Sequence, residues 1–157
     1  MDAKLNCNKE MKTILVTGSS RGIGRDTCIS LSNKGHQVYA CGRKEINIPG
    51  CTGLVLDPGD LDSIKKVTEY FKEKKVKIDG LVNNAGLLVN KPFLEISEID
   101  FKNLAQVNWI GPALLIQKLF PILNQGAHVV NISSMGGFQG SEKFPGLAGY
   151  SCLLYTS

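Results

Sequence analysis

Long apolar runs, dense charge clusters and paired metal-type ligands are all missing from this chain. No stretch approaches the roughly 20 apolar residues that cross a bilayer, so no membrane-spanning helix is expected. The 18 Lys and Arg against 14 Asp and Glu leave a net charge of +4. No basic run is dense enough to point to nucleic acid as a partner. Cys7, Cys28, Cys41, Cys51 and Cys152 form no C-x-x-C pair, which argues against a zinc ribbon or a thioredoxin-type motif and favours free thiols in a reducing cytosol. His36 and His128 stand alone, one after a glycine that ends a helix and the other opening a strand. Surface or strand-edge roles suit them better than ligation. Residues 1–11 are polar and lack the apolar core of a secretory signal, so they are read as a polar leader, with Met11 as an alternative start. A cytoplasmic protein is expected. Repeats and low-complexity segments are absent.

What remains is an ordinary globular composition, 43% hydrophobic with 17 glycines, in a length that suits one domain with a real core. Strand and helix patterns alternate. Thr13–Thr17 is a short apolar run ending at a glycine, the mark of a buried parallel strand. Arg21–Lys34 reads as a helix stopped by Gly35. Strands follow at Gln37–Cys41 and Gly53–Leu56. Asp60 caps the next helix, whose Ile64, Val67, Thr68 and Phe71 share one face at helical spacing. Ile78–Val82 is a fourth strand. Ser97 caps a long helix running to about Leu123, and His128–Ile132 is a fifth strand. Such alternation implies a parallel sheet covered on both faces, an α/β doubly wound Rossmann-type fold. Ligands in that fold bind beyond the carboxyl ends of the strands.

Four segments stand just after predicted strands: Thr17–Gly24, Asn83–Gly86, Asn131–Ser134 and, further on, Tyr150. Gly18, Gly22 and Gly24 are spaced G-x-x-x-G-x-G between the first strand and the first helix. Glycines there let the backbone approach a pyrophosphate, and the helix N-terminus offers free N–H groups and the positive end of its dipole. Read alone, the same spacing also suits an ordinary glycine-rich loop.

With these residues the chain resembles the short-chain dehydrogenase/reductase family, from about Met11 to Ser151. Residues 17–24 match its TGxxxGxG cofactor loop, with Gly18, Ser20, Arg21, Gly22, Ile23 and Gly24 as cofactor contacts. Residues 83–86 match its NNAG segment, placing Asn84, Ala85 and Gly86 beside the cofactor. An acidic residue ending the second strand would bind the ribose 2′-OH of NAD. That position holds Gly42, followed by Arg43, with Arg21 nearby. Two guanidinium groups suit a phosphate dianion, so NADP is expected over NAD. Solvated surface arginines are the alternative. Asp57 matches the aspartate that contacts the adenine amino group. The next residue usually donates its backbone N–H to adenine, but Pro58 has none.

The resemblance also implies the reacting groups. The run around Asn108 matches the active-site asparagine of VNxxGP, although its place on the apolar stripe with Leu104, Leu115 and Leu119 also fits a structural amide. Ser134 looks like the serine that hydrogen-bonds the substrate carbonyl, and Tyr150 like the proton donor. The Ser134–Tyr150 separation is longer than usual. Residues 139–147 are therefore expected to form an enlarged loop over the substrate, with Phe138, Phe144 and Leu147 lining it or merely anchoring it. A free tyrosine, pKa about 10, is a poor acid near neutrality. In the family a lysine four residues on lowers it and holds the nicotinamide ribose. That position is Leu154. Residues 152–157 fit nothing in the family and correspond to TGT CTC TTA TAC ACA TCT, which resembles the end of a transposon adapter used in DNA library preparation. Residues 12–151 are thus expected to be the N-terminal part of one NAD(P)-binding domain, and 152–157 a non-native tail. The parent is expected to be a homo-oligomeric NADP-dependent carbonyl reductase or alcohol dehydrogenase. It would act on a small carbonyl or alcohol, with no metal, nucleic-acid or membrane partner, and the fragment would be inactive. Family dimers often use the helix bearing Asn108 and the helix after Tyr150, the second of which is expected to be missing. The alternative is a non-catalytic nucleotide-binding or regulatory relative.

Overall fold

The computed structural model describes residues 10–138, 140–142 and 144–155, the last two without their side chains. Most of the polar leader and the last two residues of the tail lie outside it. Five parallel strands form one sheet in the order β3-β2-β1-β4-β5. They are β1 (Thr13–Val16), β2 (Gln37–Gly42), β3 (Cys51–Val55), β4 (Ile78–Asn83) and β5 (Leu123–Asn131). The order reverses between β1 and β4, the switch point at which open α/β sheets form a crevice. Five helices connect or follow them: α1 (Gly22–Asn33), α2 (Leu61–Glu73), α3 (Glu98–Ala105), α4 (Gly111–Leu119) and α5 (Ala148–Tyr155).

Strand alternation assigns the two faces. Leu15, Tyr39, Cys41 and Leu81 point to the layer of α2 and α4, where they meet Ile64, Phe71, Leu115 and Leu119. Ile14, Val16, Val38 and Ala40 point to α1 and Cys28. The expected apolar face of α2 is buried along its whole length, which offsets the entropy of ordering the helix. Its cap is as expected: Asp60 Oδ1 accepts from the Asp62 N–H at 2.9 Å. Ser97 caps α3 in a reciprocal capping box with Asp100. The chain leaves α1 through Gly35 at φ +82°.

Three expectations fail. The helix from Ser97 does not run unbroken to Leu123. It passes through a π turn at Gln106–Ile110, resumes as α4, tightens at Phe120–Ile122 and is already strand at Leu123. Pro112 cannot donate to the carbonyl of Asn108 in the α pattern, and the Gly111 N–H instead donates five residues back to Gln106. β5 likewise begins earlier than His128, pairing Leu123 with Ile78 before a bulge between Ile78 and Gly80. The helix after Tyr150 is also present in part, since residues to Tyr155 are helical. β5 is a sheet edge, and apolar residues on it and just after it are open, with Val129 37%, Val130 46% and Ile132 40% exposed. Among the described residues no helix is long and apolar enough to cross a membrane.

Candidate active site

The carboxyl ends of β1, β4 and β5 meet in one crevice because Thr17 joins two of them. Its N–H donates to the Val82 carbonyl at 2.9 Å, and its Oγ1 accepts from the Asn84 and Ala85 N–H groups, both at 3.0 Å. Asn84 closes the link by donating Nδ2 to the carbonyls of Thr17 and Gly18 at 3.0 and 3.1 Å. The glycine loop is pressed against this segment. At Gly18, φ is +68° and a Cβ would stand 2.7 Å from the Ala85 Cα, so only glycine fits. Ser19 is fully buried beneath the loop, donating Oγ to the Val16 carbonyl at 2.7 Å and accepting from Cys28 Sγ at 3.3 Å. Burial and the partner Ser19 act on that thiol in opposite senses, and burial wins, raising its pKa. Thr17 and Ser19 are builders of the site that the sequence reading left out, although both stand inside the loop it singled out.

A cavity of about 1020 Å³ opens at this loop. Gly18, Ser20, Arg21, Gly22 and Ile23 line it from one side, and Asn84, Ala85 and Gly86 from another. Gly24 does not line it, being buried against Asn84. Arg21 and Arg43 both reach the cavity and are exposed. Among the described residues neither has an ion-pair partner, so both guanidinium groups remain available to an anion. Asp57 stands at the far end, with Oδ1 accepting from the Gly59 N–H at 2.8 Å.

A second cavity of about 740 Å³ continues the first, sharing Ile23 and residues 84–87 as lining. It brings together Asn108 from the π turn, Ser134 after β5 and Tyr150 from α5. The Asn108 side chain is held through both its oxygen and its nitrogen. Oδ1 accepts from the Leu87 N–H at 2.7 Å and Nδ2 donates to the Leu87 carbonyl at 2.8 Å. Ser134 Oγ accepts from the Gly136 N–H at 3.3 Å, which leaves its own proton free to donate. Tyr150 is placed by Gly149, where a Cβ would stand 3.0 Å from Leu104 Cδ1 and 3.2 Å from Phe101 Cε1, so α5 docks closely on α3. Phe138 and Phe144 do not line the cavity and are 65% and 64% exposed, and Leu147 is also off its surface. The loop between Ser134 and Tyr150 is instead tied to the β4 side, with the Lys91 N–H donating to the Gly146 carbonyl at 3.0 Å. Leu154 lies one turn past Tyr150 in α5. No group of metal-ligating side chains occurs among the described residues.

Comparison with known proteins agrees with this geometry. A family model described as short chain dehydrogenase matches residues 12–152. The NADPH-dependent pterin aldehyde reductase of Arabidopsis thaliana is 31% identical over 144 residues, 83% of this chain and 59% of that protein. A 3-oxoacyl-[acyl-carrier-protein] reductase of Buchnera aphidicola is 32% identical over 143 residues, 85% of this chain and 59% of that protein. The crystal structure of a short-chain dehydrogenase from Streptomyces avermitilis superposes with a TM-score of 0.81 at 29% identity, covering 94% of this chain and 57% of that one. The chain thus spans less than two thirds of the length of these relatives.

Proposed function

The chain belongs to the short-chain dehydrogenase family, and from that premise we propose that its parent protein is an NADP-dependent carbonyl reductase or alcohol dehydrogenase. The observation that carries the reading is the cavity that Asn108, Ser134 and Tyr150, from three separate segments, line together beside the glycine loop. A nicotinamide dinucleotide fits the residues present. The larger cavity is shaped by a glycine that admits no Cβ, carries two unpaired guanidinium groups and ends at a carboxylate. When bound, the cofactor supplies or accepts the hydride.

The chain's own residues do the rest. Ser134 Oγ donates a hydrogen bond to the substrate oxygen and fixes it. Tyr150 gives its phenolic proton to that oxygen during reduction and takes it back during oxidation. Asn108 holds the backbone of Leu87 and so keeps residues 84–87 against the cofactor. Arg21 and Arg43 pair with a ribose 2′-phosphate, and Gly42 places no acid there to repel it. An ammonium that lowers the tyrosine pKa is lacking at Leu154. In our reading the chain is a fragment that cannot turn over, and the parent supplies a lysine past Ser151.

Among the described residues Cys28, Cys41 and Cys51 are free thiols, in keeping with a reducing, cytosolic compartment. Ile99, Trp109 and Phe120, exposed on the helical segment around Asn108, support a homo-oligomeric parent. A second reading, a nucleotide-binding protein without turnover, is favoured by Leu154. Genomic DNA beyond Ser151 separates the two. A lysine codon three positions on, followed by NADPH-dependent reduction of carbonyls by the extended protein, upholds the enzyme. A native leucine with no turnover upholds the other.

A further inference from the structure

The base end of the larger cavity is short of backbone donors, and we propose that it discriminates poorly between 6-amino and 6-oxo purines. This chain should then bind a hypoxanthine dinucleotide nearly as well as an adenine one. The proposal rests on the dinucleotide reading above and concerns Asp57, Pro58 and Gln106.

The turn after β3 consumes its own N–H groups. The Asp57 N–H donates to Ser63 Oγ at 2.9 Å. Pro58 has no N–H. The Gly59 N–H donates to Asp57 Oδ1 at 2.8 Å, and the Asp60 N–H to the Asp57 carbonyl at 3.1 Å. Nor is the turn free to swing, because Gly111 of α4 lies so close to the Pro58 carbonyl that a Cβ there would overlap it. What the turn offers a ligand is an acceptor, the second carboxylate oxygen of Asp57.

A 6-amino purine presents a donor at its exocyclic amine and an acceptor at N1. A 6-oxo purine presents the reverse, an acceptor at O6 and a donor at N1. The Asp57 carboxylate accepts from either donor. The complementary contact must then come from a side chain, and Gln106 in the π turn lines the same cavity with Asn103 of α3. A carboxamide carries both a donor and an acceptor and exchanges them by rotation. It serves N1 in one base and O6 in the other. A fixed backbone N–H at residue 58 would face the N1–H of a 6-oxo purine donor to donor and leave both unpaired, which is costly in a buried site. With proline there, that penalty is gone.

The test is calorimetric titration of the full 157-residue chain, below its self-association range, with NADP⁺ and with its hypoxanthine analogue. The two dissociation constants should agree within about threefold. Pro58→Ala restores an N–H and should move the ratio toward adenine by about tenfold, equivalent to about 1.4 kcal/mol. Gln106→Leu should weaken the hypoxanthine and adenine forms by similar factors. An adenine preference above about tenfold in the unmodified chain, or an unchanged ratio in Pro58→Ala, overturns the proposal and leaves the dinucleotide reading standing. A folded chain that binds neither dinucleotide overturns both.

Discussion

Replacing Asn108 by alanine should cost stability as well as activity, because its side chain holds a backbone rather than a ligand. Two hydrogen bonds to Leu87, at 2.7 and 2.8 Å, disappear together. Each contributes about 0.5–1.5 kcal/mol net, so the pair contributes about 1–3 kcal/mol. Leu87 is only half-buried, so water re-solvates part of what is exposed and a loss of about 2 kcal/mol is expected. In a domain of this size that lowers Tm by about 4–8 °C, readable by circular dichroism on the protein extended past Ser151. Asn108→Asp keeps an acceptor for the Leu87 N–H but sets a carboxylate against the Leu87 carbonyl, so it should recover less than half of the loss. Cofactor affinity should fall in parallel, since Leu87 continues the segment that lines both cavities. An Asn108→Ala protein whose Tm stays within about 1 °C of the unmodified one would refute the clamp.

Other outcomes follow from the same structure. The completed protein should prefer NADPH to NADH, and Gly42→Asp with Arg43→Ser should reverse the ratio of kcat/KM. The new side chain must displace only the flexible end of Ile46, and equal use of NADH by the unmodified protein would count against the arginine pair. Asp100 has a pKa lowered from 3.8 to about 2 by its hydrogen bonds to Lys91 and Ser97. Its folded pKa lies below the unfolded value, so its contribution is present above about pH 4 and fades as pH falls toward 2. Acid titration of Asp100→Asn, followed by helix signal, should show that limb flattened; an unaltered acid limb would contradict the capping network. The 157-residue chain should fail to oxidise NADPH with any carbonyl in a panel, should self-associate with rising concentration through the open edge of β5, and should not be rescued by Leu154→Lys. Robust turnover by a monodisperse sample would show that the fragment reading is mistaken.

Much of this was legible in the sequence where the chemistry is local. The glycine loop, the Asp60 and Ser97 caps and the α2 face are set by residues within a few positions of one another. The break at Gln106–Ile110 was hidden because the apolar stripe of Leu104, Leu115 and Leu119 continues across it. Pro112 was the signal that was present and unused. The early start of β5 was hidden for the opposite reason. Asn124, Gln125 and Gly126 have turn chemistry and fall in the bulge between the Leu123–Ile78 and His128–Gly80 pairs, where Asn124 Nδ2 donates to Asp79 Oδ1 at 2.8 Å. The Asn108–Leu87 clamp left no trace because its second partner is backbone. The emptiness of the cavity wall at Phe138 and Phe144 depends on how the loop is tied to Lys91, a contact between residues distant in sequence.

The most direct test is steady-state reduction by the protein extended past Ser151, with and without Tyr150→Phe, while NADPH binding is measured on both. The account predicts turnover of at least one carbonyl by the unmodified protein. The variant should lose most of kcat and keep its NADPH dissociation constant within about twofold, because only the proton donor is removed. A variant with near-normal kcat would contradict the assignment of Tyr150 as the acid, and with it the catalytic reading of the cavity.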